Sequence, residues 1–473
     1  MTEQPSASTE HDGSSRLSRL DKLLYASGSL GANVTFLTVA TWLFFLYSPP
    51  ESEDRSPLVP IAIVGVILIV GRIIEALDDP FIGYWSDTTR SRWGRRLPFI
   101  VLGTPVLALS FFLLWTPPVD GESLWNGLYL FIILEAFFLA NTLVGGPYEA
   151  LLPEITASSQ ERVQLSAWKV LFGAAGAGIV FLLGGPLIAA WGFVGMGLFL
   201  AAVTFVSRLL PVLGVRKHVR RETQASSFGF TRAVRATLAN SQFRAFMPAF
   251  VLFTAAQVML TQWVPFYVDV ALEGTTIRLP MLPDLDDTGE KVAFLTALTF
   301  LPLIASVPLM SWLAARTSKR RVYGGSMLLC GLYFPLLFFI GFLPGVPQLA
   351  QSFMLMGLGV PLAGLFVFPN ALLADIIDFD EQLTGERREA IYYGMQATLQ
   401  KAGLGLAAGA FALVLAAFGK SAADPLGIRL IGPVAGVCAL VGYAIFARSY
   451  RLDDEGRLAA PIGKPPVGST EEE

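Results

Sequence analysis

The chain has 473 residues, 53% of them hydrophobic and only 15% charged, with a mean hydropathy of +0.58 and a formal net charge of −3. A soluble chain of this size carries roughly 25% charged residues, and a soluble helical fold does not leave whole helices without a polar face. A charge this small gives no footing for nucleic acid, the only two histidines (His11 and His218) exclude a histidine metal site or triad within the apolar segments, and Cys330 and Cys438 read as buried thiols, not a disulfide framework.

The pattern that remains is an all-α integral membrane protein. Residues 1–21 are polar and Ser-rich, lack an apolar signal core, and read as a disordered cytoplasmic tail. Twelve apolar runs of bilayer-crossing length follow, at about 22–47, 57–86, 98–117, 126–152, 165–191, 193–214, 244–271, 291–315, 323–343, 348–374, 391–418 and 427–447. The short WGFVG turn makes the fifth and sixth an antiparallel hairpin. Residues 215–243 form a basic cytoplasmic loop between two six-helix halves, 22–214 and 244–447, and TRAVRATLAN within it has the pattern of a surface helix. Residues 448–473 form a polar cytoplasmic tail. GAAGAG (173–178) and GLGLAAGA (403–410) predict faces where helices approach closely. Among Lys and Arg, only Arg55, Arg278, Lys291, Lys420 and Arg429 fall on the side away from the termini, and Arg72 and Lys401 fall inside spans. The positive-inside rule then puts both termini in the cytoplasm and the protein in the inner (plasma) membrane.

The second run ends in RIIEALDDPF (72–81). On a helix Glu75 and Asp79 share a face, Arg72 reaches the same patch, and Asp78 turns away by about 100°. An ionised carboxylate facing lipid is costly, so the patch must face the bundle interior or water. Two such carboxylates repel each other and offer hard oxygen ligands, which predicts a site for H⁺ or Na⁺. The competing reading is an Arg72–Glu75 pair that braces two helices. Asn33, Thr35 and Thr38, then Glu135, Asn141, Thr142, Tyr148 and Glu149, interrupt later apolar stretches. So do Gln257, Gln262, Trp263 and Tyr267, Phe366, Phe368 and Asn370, and Tyr392, Tyr393, Gln396 and Lys401. Aromatics beside amides suit a neutral polar solute such as a sugar, although ordinary packing is the better account of any single ring. Asn33, Arg72, Tyr148, Gln257, Trp263, Phe366, Tyr393, Gln396 and Lys401 are therefore candidate solute-site residues. Lys401 needs a carboxylate, and Glu75, Asp79 or Glu149 can supply one.

Charge also gathers at the inner ends. GYWSDTTRSRWGRRLPF brings Asp87, Arg90, Arg92, Arg95 and Arg96 together. PYEALLPEITASSQERVQLSAWK carries Glu154 and Arg162, and LLADIIDFDEQLTGERREAIYYG carries Asp375, Asp378, Asp380, Glu381, Arg387, Arg388 and Glu389. Pairing across the halves would make a cytoplasmic gate, since a network of weak surface pairs biases a two-state element.

These three stretches together resemble the glycoside–pentoside–hexuronide:cation symporters of the major facilitator superfamily, the group that contains the melibiose permease. GYWSDTTRSRWGRR is similar to the superfamily's loop motif. The resemblance implies two six-helix halves with a cation-coupled solute site between them, working as a monomer. It implies Na⁺ or H⁺ as coupling ion, no other cofactor, no structural metal and no enzymatic activity. In the permease two helix 2 acids four apart help bind Na⁺; these match Glu75 and Asp79. Its helix 11 lysine matches Lys401, and a sugar-lining helix 10 aromatic matches Phe366. Two acids of the permease fall here on Asn33 and Gly145, so Glu149, one turn on, becomes the candidate replacement in the cation site. The expected function is symport of a sugar or glycoside into the cell. The alternative is carriage of a lysolipid, drug or organic acid on the same fold, or antiport.

Overall fold

The computed structural model describes residues 17–50, 55–156, 159–218, 235, 237–278, 284–385 and 389–453. Short α1 (Arg19–Ala26) opens with a reciprocal capping box between Ser18 and Asp21 and runs into α2 (Gly28–Tyr47). Then come α3 (Ile61–Thr88), α4 (Leu97–Leu113), α5 (Leu124–Ile155) and α6 (Ser159–Val215). The second half holds α7 (Ser241–Ala271), α8 (Thr288–Arg316), α9 (Lys319–Tyr333), α10 (Gln348–Ser352), α11 (Met356–Val367), α12 (Pro369–Thr384), α13 (Glu389–Phe418) and α14 (Leu426–Ser449).

Nine helical stretches among the described residues are long and apolar enough to cross a bilayer. α4 is apolar but shorter, and α3 carries the charges of its inner half. α6 breaks at Gly192, whose φ of 68° and ψ of −179° turn the chain where WGFVG predicts a hairpin. The expected ninth span ends early. After α9 the chain tightens into a 3₁₀ turn over Phe334–Phe338, because Pro335 lacks the N–H that an α-helix would use. The expected tenth span is longer than predicted and segmented. A 3₁₀ turn at Phe353–Leu355 separates α10 from α11, and Pro369 begins α12. Leu77, Leu102, Leu109, Val170, Leu406 and Leu413 are exposed, as side chains facing lipid should be.

The small-residue stretches pack as expected. A Cβ on Gly176 would fall 2.4 Å from the Leu30 carbonyl, and one on Gly409 would fall 2.2 Å from Ile69 Cδ1. The second contact joins α3 of one half to α13 of the other, and Gly65 meets Ala412 further along the same seam. At the end away from the termini Gly185 and Gly289 touch backbone to backbone. Phe45 packs edge-on against Phe266 at 5.8 Å, and Phe411 lies between Phe44 (5.2 Å) and Phe266 (5.7 Å). Lys420 donates to the Ser48 carbonyl (3.1 Å), Ser48 Oγ (2.8 Å) and the Pro49 carbonyl (2.6 Å). The halves are thus sealed together at the end opposite the basic loops.

Candidate functional site

The seam between α3 and α13 reaches inward to the charges of RIIEALDDPF. Gly405 lets α13 pass Arg72 closely, since a Cβ there would lie 2.8 Å from Arg72 Cβ. One turn before Gly405, Lys401 Nζ reaches across the halves to Asp79, at 2.7 Å from Oδ1 and 2.8 Å from Oδ2. It also lies 3.1 Å from Glu75 Oε1. Glu75 is only 1% exposed. Its other oxygen accepts from Arg72 Nη1 at 2.6 Å, and the Arg72 guanidinium lies 4.3 Å from the centre of the Phe138 ring. Thr142 on α5 donates to Asp79 Oδ1 at 3.1 Å, while Lys401 Nζ lies 3.5 Å from the Thr142 hydroxyl.

This geometry corrects two expectations. Glu75 and Asp79 do not simply repel, because the Lys401 ammonium lies between them. The Arg72–Glu75 pair is internal to α3 and reaches α5 only through the Phe138 ring; Lys401 makes the tie between the halves. A pocket between the halves opens beside Arg72, with Phe36, Leu68, Leu404 and Gln262 among its walls. Gln262 Oε1 is buried there without a hydrogen-bond partner. Thr142 and Gln262 are polar interruptions visible in the sequence, yet only the fold singles them out.

Other predicted residues lie elsewhere. Tyr148 is 2% exposed and belongs to a knot inside the first half. It stacks on Tyr25 with ring centres 4.8 Å apart. Each of these hydroxyls donates to the other residue's carbonyl, at 2.8 and 2.9 Å, and the Tyr148 hydroxyl also meets Ser29 Oγ at 3.2 Å. With its hydroxyl so engaged, Tyr148 packs within the first half in this conformation. Glu149 pairs with Lys169, whose ammonium sits 5.0 Å from the Tyr148 ring centre, and so does not join the Glu75 patch as expected. Arg208, counted from the sequence among the inner-side charges, is 3% exposed and touches Asn141 and Tyr148. Asn33 donates to the Ser29 carbonyl and fits against Gly173.

In the second half Trp263, an expected solute residue, is buried instead. It bonds the Ile428 carbonyl at 2.9 Å and stacks on Tyr267. Gln257 bonds Thr261 on its own helix. Gln396 is buried, whereas Phe366 (56%) and Tyr393 (41%) are exposed.

At the helix ends on the side of the termini the described ion pairs join elements of the same half. Arg95 Nη2 and Arg96 Nε both lie 2.6 Å from Glu154 Oε1, and Lys319 lies 2.6 Å from Asp375. Arg92 is exposed beside Trp93. Asp378 and Glu381 sit on α12. Arg387 lies outside the described residues, as do the side chains of Asp87, Arg162 and Glu389.

Comparison with known proteins settles the class. The sequence profile described as MFS/sugar transport protein matches residues 24–454. The chain belongs to that family. It is a member of the glycoside–pentoside–hexuronide:cation symporter group of the major facilitator superfamily, a membrane transporter of small solutes and not an enzyme. An uncharacterised symporter, sll1374, of Synechocystis is 28% identical, with 85% of this chain and 86% of that protein covered. The isoprimeverose transporter of Lactiplantibacillus pentosus is 23% identical, with 84% and 80% covered. The crystal structure of a mutant of the nucleoside transporter NupG superimposes with a TM-score of 0.66 at 11% identity, over 91% of this chain and 99% of that one. At that identity the likeness speaks for the fold alone.

Proposed function

We propose that the protein takes up a sugar or glycoside by symport with Na⁺ or H⁺, as a monomer in the inner membrane with both termini in the cytoplasm. The observation that carries the reading is Lys401. Its ammonium, offered by one half, lies between two carboxylates offered by the other, where a small cation would find oxygen ligands. A coupling ion entering from outside competes with it for Glu75 and Asp79. Once displaced, Lys401 no longer ties α13 to α3, and the halves are at liberty to rearrange around the solute. Coupling follows if the cation binds better when solute is present. Return to the closed outer end restores the lysine and expels the ion inward. The isoprimeverose transporter among the relatives supports a sugar as the solute. Gln262 and Arg72 in the seam pocket, with the exposed Phe366 and Tyr393, are the side chains suited to hydroxyls and ring faces. Arg95, Arg96 and Asp375 would trade their described pairs within each half for pairs across the halves when the inner end shuts, with Asp378 and Glu381 of α12 among the new partners.

The test is uptake by proteoliposomes of a panel of labelled sugars, glycosides and hexuronides under imposed Na⁺ or pH gradients. At least one compound should accumulate above equilibrium with one of the two ions, and Glu75→Gln should abolish accumulation while leaving exchange measurable. Equilibration without accumulation for every compound, or the same ion dependence in Glu75→Gln, would overturn the proposal.

A further inference from the structure

Glu135 takes no part in the seam's pairs. It sits on α5 two turns outward of Thr142, and its Oε1 is buried with no hydrogen-bond partner. Gly71 on α3 makes the space it occupies: a Cβ there would lie 2.7 Å from Oε1 and 2.9 Å from the Phe138 ring. Leu139 and Ile132, on the adjoining surface of α5, are exposed toward lipid. The carboxyl therefore meets hydrocarbon and an aromatic ring.

Among the described residues the surrounding charges give it no counter-ion. On α3, Gly71 faces it, and the charged Arg72, Glu75 and Asp78 follow along the same helix. Arg72 is committed to Glu75 at 2.6 Å and to the Phe138 ring. Lys401 on α13 is committed to Asp79 and Glu75. α4, which packs along α5, has no ionisable side chain between Leu97 and Leu113. Further along, Arg208 of α6 reaches Asn141, and Glu149 of α5 is paired with Lys169. Arg72 and Lys401 are thus taken up by Glu75 and Asp79, and among the described residues Glu135, like Asp78, is surplus to that balance. An uncompensated carboxylate in such surroundings costs several kcal/mol, and taking up a proton removes the cost.

We propose that Glu135 is a proton-binding site, separate from the Glu75/Asp79 patch, whose half-buried carboxyl takes up H⁺. The inference does not depend on which solute is carried, nor on whether Na⁺ or H⁺ occupies the patch.

Infrared spectroscopy of the whole protein in lipid, with no solute added, tests it. The wild type at neutral pH should show the carbonyl band of a protonated carboxylic acid, and Glu135→Gln, nearly the same shape, should lose that component. A band of unchanged size in Glu135→Gln overturns the proposal. A wild-type protein without such a band at neutral pH also overturns it, and that measurement stands even where the variant does not fold.

Discussion

Two polar assemblies lie within the apolar body, and they behave oppositely. The knot of Tyr25, Tyr148 and Ser29 belongs wholly to the first half, and its tyrosine hydroxyls are each matched by a carbonyl. The seam of Arg72, Glu75, Asp79, Thr142 and Lys401 spans two halves, and its central tie is a charge pair. Neutral hydrogen bonds closed within one rigid unit add stability and have no reason to change during transport. A charge pair across the boundary between the halves is, in the proposed mechanism, open to exchange, because a small cation can take the place of the ammonium. Polar residue type is shared by both assemblies. What separates structural burial from functional burial here is whether the contact crosses the boundary between the halves.

The largest test of that contrast is Lys401→Ala. It leaves Glu75 buried and Asp79 without its cation, and breaking a buried pair in this way costs about 3–5 kcal/mol. Ion-driven uptake should fall by about a hundred-fold or more, measured as initial rate in proteoliposomes. Gly409→Val comes next. Its Cβ would fall 2.2 Å from Ile69 Cδ1, and overpacking of this kind costs about 1–3 kcal/mol. Transport should drop about ten-fold while the protein still inserts, as read by uptake together with thermal melting in detergent. Lys420→Ala removes three hydrogen bonds at the outer seal, each worth about 0.5–1.5 kcal/mol net. Spin-label distances between the outer ends of α2 and α7 should lengthen in a larger fraction of molecules. Tyr148→Phe has the smallest effect. It should lower stability by about 1 kcal/mol and change the KM of a transported compound less than about two-fold. A ten-fold KM change would mean that Tyr148 reaches solute, and the contrast between the assemblies would fail.

Much of this is legible in the residues because membrane burial penalises charge so heavily. The acids of α3 and Lys401 have to find each other, and three stretches of charged loop are enough to point to the family. The break at Gly192 and the helix contacts of Gly176 and Gly409 follow from turn chemistry and side-chain size. The aromatic residues are harder. Tyr148 and Trp263 have the same composition signal as a sugar-binding ring, yet local hydrogen bonds to Tyr25 and Ile428 fix them in packing roles. Glu149 cannot be separated from the cation site until Lys169 is seen beside it. Spacing alone gives the face of a helix; it does not say which neighbour that face meets. The early end of α9 at Pro335 is a local signal hidden within a long apolar run.

The most direct measurement is the cation affinity of Lys401→Gln, by calorimetric titration of Na⁺ at fixed pH and by proton uptake on acidification. If the lysine and the coupling ion compete for Glu75 and Asp79, the variant binds one of these cations more tightly than the wild type. Unchanged or weaker binding of both would contradict the competition on which the account rests.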